Sequence, residues 1–451
     1  MKRVITYGTY DLLHQGHINL LRRAKALGDY LIVGVTNDNF DRERGKLNVQ
    51  NNVLERVDAV RATGLADKII IEDYVGQKID DIQKYEVDIF AIGSDWEGKF
   101  DYLKDFCQVV YLPRTEGISS TMLRENLQED IKIGIVGTGR IAERFVPESS
   151  FVSYVEVVCV YDHNIDKAHD FARRHDIATV CHSFAELLDR VDAVYIATPH
   201  LSHYELCKEA ILHHKHVLCE TPLVLNGEQA RELFCLSSHT RGNSVVLMEA
   251  NKTAHSPAFN HLISMVKSGL IGDVVDVSAS ESKLWGDKFT RELDPDQAGG
   301  SMYEMGSYPL LPILKLMGIS YSDVQFYSKM KDGIDVYTRG VMRYPNGVCS
   351  FQLGMGVKTE GNLVISGTKG YAYVPSPWWL TDYYEFRYED QNQNKKFFYQ
   401  WDGAGLRYEI QEFISCIFNH RFSTARLRRR ESIAMADIMQ QFGERRNFVE
   451  I

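Results

Sequence analysis

The stretch RVITYGTYDLLHQGH runs from Arg3 to His17, and the stretch KIGIVGTGRIA runs from Lys132 to Ala142. In each, a short apolar run passes into a glycine-containing turn and then into a helical pattern, which is how a parallel α/β domain begins. Two such beginnings in one chain of 451 residues predict two separate α/β domains.

Further β-rich runs, separated by helical patterns, follow each beginning. After the first come LIVGVT (31–36), KIIIED (68–73), DIFAIG (88–93) and QVVYLP (108–113). They predict a five-stranded doubly wound domain over residues 1–128. After the second come VEVVCVYD (155–162), DAVYIATP (192–199), HVLCETP (216–222) and SVVLMEA (244–250). They predict a Rossmann dinucleotide-binding domain over residues 131–249.

The pattern changes after residue 250. One helix is expected near Phe259 to Ser268, followed by alternating, aromatic-rich runs such as GYAYVPSPWW (370–379) and YYEFRYED (383–390). These runs predict an α+β domain over residues 250–451, with a large antiparallel sheet and helices on one side. The predicted fold class is therefore α/β for the first two domains and α+β for the third.

The composition restricts the partners. A formal charge of −10 argues against a nucleic-acid backbone or an anionic membrane surface as the main partner. The eight cysteines include no CxxC pair, so we expect buried thiols in a reducing compartment. No apolar run reaches the ~18 residues that a membrane span requires, and we expect a cytoplasmic protein. The RLRRR run at residues 426–430 is expected to be a solvated face.

Two histidines, His14 and His17, follow the first predicted strand and share one face of the next helix. A helix that begins after a strand and a turn offers an anion site, and Gly16 lets a phosphate approach the backbone. Thr9 and Tyr10 lie on the same turn. The pattern predicts a site for phosphate groups.

The end of the same domain carries RTEGISSTMLRE, residues 114–125. Ser119 to Thr121 can cap a helix, and their backbone N–H groups together with Arg114 would hold a second cluster of phosphate oxygens. A capping signature alone is often only structural. Together with the histidine pair in one five-stranded domain, it indicates a nucleotide site.

On these segments, YGTYDLLHQGH (7–17), GSDWEGKFD (93–101) and YLPRTEGISST (111–121), the first 125 or so residues resemble the bacterial glycerol-3-phosphate cytidylyltransferases. This family belongs to the nucleotidyltransferase superfamily marked by HxGH and ISST. The resemblance implies transfer of CMP from CTP to a small polyol phosphate, giving CDP-glycerol when the acceptor is glycerol 3-phosphate. An adenylyltransferase of the same superfamily remains an alternative, because loops read the base.

The resemblance also implies roles for individual residues. The CTP phosphates would be contacted by Thr9, Tyr10, His14 and His17. The rest of the nucleotide would be contacted by Asp95, Arg114, Thr115, Glu116, Gly117, Ile118, Ser119, Ser120 and Thr121. The acceptor phosphate would be held by Arg44, Lys46 and Lys78, with Arg44 standing where the family has lysine. Catalysis would rest on positive charge from His14, His17, Arg114, Lys46 and a Mg²⁺ ion that accompanies CTP. No metal site made of protein side chains is predicted.

The segment GTGRIA places Gly137, Gly139 and Ala142 in the GxGxxA pattern of dinucleotide-binding folds, between an apolar strand and a helix. Asp162 closes the next strand, where a carboxylate accepts from the ribose 2′-hydroxyl and repels a 2′-phosphate. This favours NAD(H) over NADP(H), with Asp162 as a simple turn residue the alternative.

Residues 131–451 are similar to the Gfo/Idh/MocA oxidoreductase family. The matching segments are GIVGTGRIA (134–142), IATPHLSHYEL (196–206), HVLCETPLVLN (216–226), PAFNHLISMVKSGLIGDV (257–274), AGGSMYEMGSYPLL (298–311) and ISGTKGY (365–371). The resemblance implies oxidoreduction of sugar-like or polyol substrates, with Thr198 and Glu220 near the cofactor.

The chain departs from that family at the reacting centre. The family has Glu-Lys-Pro where this chain has Glu220, Thr221 and Pro222, and a threonine hydroxyl cannot replace an ammonium as proton donor. Glu304 and Tyr308 stand where the family commonly has Asp and His. Tyr308 is either an acid or a core aromatic residue, and Lys252 is a candidate substitute for the missing lysine.

Three interpretations of the C-terminal half follow. It is an NAD-linked reductase with relocated acid–base groups, which supplies the polyol phosphate; a catalytically silent NAD-binding scaffold that serves regulation or assembly; or a reductase with a single disabling substitution. Both families usually form closed assemblies, so a homo-oligomer is expected. The sequence does not decide the acceptor or the direction of the redox step.

Overall fold

The computed structural model describes residues 1–38, 49, 51–74, 76–113, 129–239, 244–284 and 291–451. The chain divides into two compact units, Met1–Glu129 and Asp130–Ile451. Within the described ranges no helix has the length and apolar character needed to cross a bilayer.

The N-terminal unit is built on a parallel sheet in the order β3-β2-β1-β4-β5. Its strands are β1 (Arg3–Gly8), β2 (Tyr30–Thr36), β3 (Lys68–Glu72), β4 (Ile89–Gly93) and β5 (Gln108–Leu112). Its described helices are α1 (Gln15–Lys25), α2 (Val53–Ala62) and α3 (Gln77–Lys84). Buried apolar residues alternate between the two faces, with Val4 and Val33 in one core and Ile5 and Ile32 in the other. The predicted five-stranded doubly wound fold is confirmed.

The second unit begins with a parallel sheet in the order β11-β10-β9-β6-β7-β8. Its strands are β6 (Ile131–Val136), β7 (Val155–Tyr161), β8 (Thr179–Val180), β9 (Ala193–Ile196), β10 (His216–Glu220) and β11 (Leu247–Ala250). The helices that accompany it are α4 (Ala142–Ser149), α5 (Ile165–Arg174), α6 (Phe184–Leu188), α7 (His203–Leu212) and α8 (Gly227–His239). This is the expected Rossmann sheet.

A nine-stranded sheet follows, in the order β19-β18-β17-β16-β12-β15-β14-β13-β20. Its strands are β12 (Val274–Ser282), β13 (Asp323–Lys331), β14 (Ile334–Tyr344), β15 (Gly347–Gly354), β16 (Leu363–Gly367), β17 (Tyr371–Val374), β18 (Tyr383–Arg387), β19 (Lys395–Phe398) and β20 (Phe448–Glu450). The sheet is mixed, because β12 pairs with β15, and β13 with β20, in parallel. The large sheet of the expected α+β domain is therefore present, and it contains two parallel strand pairs among the antiparallel ones.

In the described part of this unit, six α-helices follow the Rossmann sheet. They are α9 (Lys252–His255), α10 (Pro257–Lys267), α11 (Ser301–Met305), α12 (Ser307–Met317), α13 (Leu406–Phe418) and α14 (Arg429–Gly443). Helix α12 packs on β12 of the large sheet, whereas α13 packs on α4 and α14 on α8. Leu406, Ile410 and Phe413 of α13 therefore share a core with Ile133 and Val160 of the Rossmann sheet. The end of the chain thus contributes side chains to the dinucleotide half.

The arginine run at residues 426–430 is less solvated than expected. The Arg426 Nη1 donates to the carbonyl of His255 at 2.9 Å. The Arg429 Nε donates to the carbonyl of Phe422 at 2.9 Å. These two arginines tie the end of α13 and the start of α14 to the body of the unit, so only part of the run faces solvent.

Candidate active sites

The histidine pair forms the N-terminus of α1. His14 is the N-cap residue, and its Nδ1 accepts the backbone N–H of Gly16 at 3.1 Å. The His14 backbone N–H is donated in turn to Nδ1 of His17 at 3.4 Å. The two rings stack with centroids 3.9 Å apart. Local hydrogen bonding therefore fixes both rings at the carboxyl edge of the sheet, next to the end of β1.

This arrangement selects one tautomer of each ring. A nitrogen that accepts a backbone N–H cannot carry a proton itself, so the proton of each neutral imidazole lies on Nε2. His14 and His17 therefore present Nε2–H donors at a helix N-terminus, where the backbone N–H groups and the helix dipole favour anions. The geometry suits contact with phosphate oxygens.

A buried arginine stabilises the turn between β1 and α1. Arg56 is fully buried, and its Nη1 donates to the carbonyl of Thr9 at 2.7 Å. Its Nη2 forms an ion pair with Asp38 at 2.6 Å. Tyr10 is also buried, has a positive φ of 53°, and places its ring 5.5 Å from that of His17. Burial raises the pKa of the Tyr10 hydroxyl. Sequence reasoning missed Arg56, because its buried position inside an amphipathic helix carries no motif.

Several predicted residues lie outside the described part of the chain: Arg44, Lys46, Arg114, Thr115, Glu116, Gly117, Ile118, Ser119, Ser120 and Thr121. Asp95 lies in the short 3-10 helix Ser94–Trp96 after β4, and its side chain is also outside the described atoms. Lys78 is described. It lies in the first turn of α3, is buried, and forms an ion pair with Glu72 at the end of β3.

In the second unit, the glycine turn after β6 has the geometry of a dinucleotide-binding loop. Gly137 has a φ of 92°, and a Cβ there would lie 2.7 Å from the carbonyl oxygen of Ala197. A Cβ on Gly139 would have no neighbour closer than 3.8 Å. Thr198 borders this turn, since its Cγ2 would lie 3.0 Å from that Gly137 Cβ, and Ala142 begins α4 in a buried position.

Asp162 is tied to the same turn. Its Oδ2 accepts both the backbone N–H of Thr138 at 2.9 Å and the Thr138 hydroxyl at 2.7 Å. Its Oδ1 accepts the backbone N–H of Asn164 at 2.9 Å. The carboxylate thus stands beside the glycine turn with its orientation fixed, and it also stabilises the turn itself.

The end of β10 carries the triplet that departs from the family. Glu220 accepts a hydrogen bond from the Tyr195 hydroxyl, and burial raises the pKa of this carboxyl to about 7. The Thr221 hydroxyl donates to Oε1 of Glu249 at 2.8 Å, and Glu249 also accepts the backbone N–H of Leu223 at 3.2 Å. The Thr221 side chain is therefore hydrogen-bonded to a residue of the neighbouring strand β11.

Lys252 stands two residues after β11, the strand that neighbours β10. Its charge partly offsets the burial that raises the pKa of Glu220, Glu281 and Glu409. The charges of the same three carboxyl groups add to burial in raising the pKa of Tyr308. Lys252 and Tyr308 therefore interact electrostatically with one common group of carboxyl side chains.

Sequence reasoning missed three of these carboxyl groups: Glu249, Glu281 and Glu409. Glu409 is fully buried, and neither of its carboxyl oxygens has a hydrogen-bond partner among the described residues. A usable signal existed, because Glu409 occupies an apolar-face position of α13, three residues after Leu406 and four before Phe413. A carboxylate at such a position is either paired or functional.

Glu304 takes part in a second set of charged contacts. Arg291 forms an ion pair with it at 2.9 Å, and Nδ1 of His200 lies 3.8 Å from its Oε1. Burial raises the pKa of the Glu304 carboxyl to about 7 and lowers that of His200 far below its ordinary value. Arg140 of the glycine turn reaches the adjacent Glu292 at 2.6 Å.

The buried carboxyl group of Glu281 should make the stability of this unit depend on pH. Its pKa in the folded protein is raised to about 8 from 4.5 by burial, so the folded state binds a proton that the unfolded chain releases at lower pH. Its contribution to stability is complete below about pH 4.5 and is lost as the pH rises through 8. Glu281→Gln should therefore reduce the fall in unfolding temperature between pH 5 and pH 8, measured by calorimetry. An equal fall in Glu281→Gln and in the exposed control Glu156→Gln would contradict it.

The two units match different families of known proteins. Residues 5–126 match the cytidylyltransferase-like family, residues 131–247 match the oxidoreductase family with an NAD-binding Rossmann fold, and residues 259–373 match the GFO/IDH/MocA C-terminal domain. Glycerol-3-phosphate cytidylyltransferase of Staphylococcus aureus is 52% identical over 127 residues, which are 28% of this chain and 96% of that protein. Trans-1,2-dihydrobenzene-1,2-diol dehydrogenase of Oryctolagus cuniculus is 30% identical over 323 residues, 68% of this chain and 96% of that one.

The chain therefore joins a member of the cytidylyltransferase-like family to a member of the Gfo/Idh/MocA oxidoreductase family. It is an enzyme of the nucleotidyltransferase class. The fold of the Gfo/Idh/MocA part also appears in a 3-ketoreductase from Actinomadura kijaniata, solved with NADP. That structure has a TM-score of 0.63 and 21% identity, and the match covers 72% of this chain and 99% of the reductase. A levoglucosan dehydrogenase solved with NADH gives the same TM-score at 17% identity, covering 70% and 97%.

Proposed function

We propose that the N-terminal unit transfers CMP from CTP to glycerol 3-phosphate or a related polyol phosphate, giving CDP-glycerol or its analogue and pyrophosphate. The observation that carries this proposal is the stacked pair His14 and His17, with both Nδ1 atoms taken by the backbone. The 52% identity to a protein of that activity over its nearly full length supports the same substrates.

The protein contributes to this reaction mainly by positioning hydrogen-bond donors and cationic side chains around the reacting phosphates. An oxygen of the acceptor phosphate attacks the α-phosphorus of CTP in line, and pyrophosphate leaves as the P–O bond to it breaks. The Nε2–H groups of His14 and His17 donate to phosphate oxygens as negative charge develops. Arg114 and Lys46 would supply positive charge, and Mg²⁺ held by the phosphates of CTP would add to it, since this ion is usually bound through substrate oxygens.

Release of pyrophosphate tests this proposal directly. Purified protein with Mg²⁺, CTP and glycerol 3-phosphate is expected to release pyrophosphate, and ATP in place of CTP is expected to give none. Release that requires ATP would instead select the adenylyltransferase alternative.

For the C-terminal unit we propose NAD(H)-linked reduction of a carbonyl-containing phosphomonoester to the polyol phosphate that the first unit activates. The residues fit the cofactor: Gly139 leaves open space for a pyrophosphate, and Asp162 offers a carboxylate for a ribose hydroxyl. Bound NADH would supply the hydride. Lys252, in place of the missing family lysine, would deliver the proton to the carbonyl oxygen.

Lys252→Met tests whether Lys252 is the proton donor to the carbonyl oxygen. With NADH and dihydroxyacetone phosphate as the carbonyl probe, turnover should fall roughly a hundredfold, because general acid catalysis contributes about that much or more. The affinity of Lys252→Met for NADH should stay within about twofold of the wild-type value. The exposed control Lys329→Met should keep the same affinity for NADH within the same limit. Turnover that survives in Lys252→Met would overturn the assignment.

A second candidate function is supported by Thr221. Its hydroxyl donates to Glu249, so Thr221 does not supply the proton that the family lysine supplies. The C-terminal unit would then be an NAD-binding scaffold without turnover. Wild-type protein that binds NADH but oxidises it with no carbonyl phosphate would select this function.

A further inference from the structure

Glu72 ends β3 at the same sheet edge as the histidine pair. Because the strands are parallel, with Gly8 opposite Val35 and Thr36 opposite Glu72, the ends of β1, β2 and β3 meet at this edge. Glu72 is only 1% exposed, although a carboxylate is rarely buried without a partner for each oxygen.

The two oxygens of Glu72 have different surroundings. Oε1 accepts the Lys78 ammonium, whose Nζ also lies 4.6 Å from the centre of the Tyr7 ring and 5.5 Å from that of Phe100. Oε2 is buried and has no hydrogen-bond partner among the described residues. A buried acceptor without a partner is unfavourable, so a ligand that donates a hydrogen bond to Oε2 would gain an interaction there.

The charge around Glu72 restricts what can fill that position. A carboxylate repels a phosphate group, so Oε2 cannot be a contact for the acceptor's phosphate. It accepts hydrogen bonds only, because a charged carboxylate has no proton to donate. A ligand group that contacts Oε2 must therefore donate a hydrogen bond and carry no negative charge, and a polyol phosphate offers such donors in the hydroxyl groups next to its phosphate.

We propose that Glu72 recognises a hydroxyl group of the acceptor, so that the N-terminal unit selects hydroxylated phosphomonoesters over deoxy analogues. This inference rests on the proposed cytidylyl transfer. Lys78 attracts the acceptor phosphate and orients the Glu72 carboxylate, while Oε2 accepts the hydroxyl. A site built to hydrogen-bond a substrate hydroxyl rejects the analogue that lacks it, because the buried acceptor is then left unpaired.

The test compares three acceptors with one assay. Pyrophosphate release from CTP is measured with glycerol 3-phosphate, with 3-hydroxypropyl phosphate and with 2-hydroxypropyl phosphate, each of the last two lacking one hydroxyl. In wild-type protein, kcat/KM for at least one deoxy analogue should be lower by a factor of about a hundred or more. Glu72→Gln should lower kcat/KM for glycerol 3-phosphate roughly tenfold, mainly by raising KM. It should change kcat/KM for the disfavoured deoxy analogue little. The ratio of kcat/KM for glycerol 3-phosphate to that for this analogue, the discrimination ratio, should therefore fall.

Two controls separate recognition from structure. Glu86→Gln changes an exposed carboxylate of the same unit that also pairs with a cation, Arg3 at 2.9 Å, and should leave the ratio unchanged. The double variant Glu72→Leu with Lys78→Met replaces the buried ion pair by apolar side chains, which often preserves folding, and should also lose the discrimination.

Each outcome decides one question. If Glu72→Gln lowers kcat/KM for all three acceptors by the same factor, or for none, Glu72 serves only to hold Lys78 and the inference is wrong. If the wild-type protein releases pyrophosphate from CTP with none of the three, cytidylyl transfer itself is overturned, and the assignment of Glu72 with it.

Discussion

His17→Ala is expected to lower kcat for CTP-dependent pyrophosphate release by roughly a hundredfold to a thousandfold, the usual cost of removing one positioned donor to developing charge. The reason lies in the tautomer. Nδ1 of His17 accepts the His14 backbone N–H, so the ring presents its proton from Nε2. Alanine removes that donor and also the partner of the backbone N–H.

A matched variant distinguishes the two losses. His17→Gln keeps a side-chain oxygen at the third position of α1, where glutamine commonly accepts the N-cap backbone N–H, but it removes the imidazole. Its unfolding temperature should stay near that of the wild type, while its kcat should fall as in His17→Ala. Activity retained by His17→Gln would show that this histidine is a helix cap and not a donor to the nucleotide.

The sequence predicts the two parallel sheets well, and for a physical reason. Each strand of a doubly wound sheet is buried on both faces, so it appears as a continuous apolar run such as LIVGVT, bounded by polar helical segments. The histidine pair is equally local, since the spacing of His14 and His17 within one turn of α1 places both at the helix start.

In the large sheet, local sequence patterns do not determine the direction of strand pairing. Strand β12 pairs in parallel with β15, and β13 with β20, although each pair is separated by a long segment of chain. Period-two alternation is the same in parallel and antiparallel strands, so it predicts the strands but not the direction of pairing. The mixed character of the sheet therefore could not be predicted from alternation.

The group of carboxyl side chains around Lys252 is non-local in the same way. Glu220 ends one strand of the Rossmann sheet, Glu281 lies on the large sheet, and Glu409 comes from helix α13 near the end of the chain. Only the return of α13 onto the Rossmann core brings the third carboxyl to the others. Sequence reasoning could name Lys252 from its position after β11, but not the side chains that surround it.

The second prediction of large effect concerns the glycine turn of the Gfo/Idh/MocA part. Gly139→Ala should lower the affinity for NADH by roughly tenfold, and Gly139→Val by roughly a hundredfold, or about 1.4 and 2.7 kcal/mol. The second glycine of this fingerprint lets the backbone approach the cofactor's pyrophosphate, and a side chain there occupies that space. The protein itself has room for the alanine methyl group, because a Cβ on Gly139 would meet nothing closer than 3.8 Å.

Gly137 provides the contrast that makes this prediction specific. Its φ is 92°, and a Cβ on it would lie only 2.7 Å from the Ala197 carbonyl oxygen, so Gly137→Ala strains the turn itself. Gly137→Ala should therefore lower both the unfolding temperature and NADH affinity, whereas Gly139→Ala should lower affinity alone. Titration of intrinsic fluorescence with NADH measures the affinity, and NADPH, titrated in parallel, should bind the wild type about tenfold more weakly because Asp162 repels a 2′-phosphate. Unchanged NADH binding in both Gly139 variants would place the cofactor elsewhere, since a pyrophosphate at this turn cannot share the space of a valine side chain.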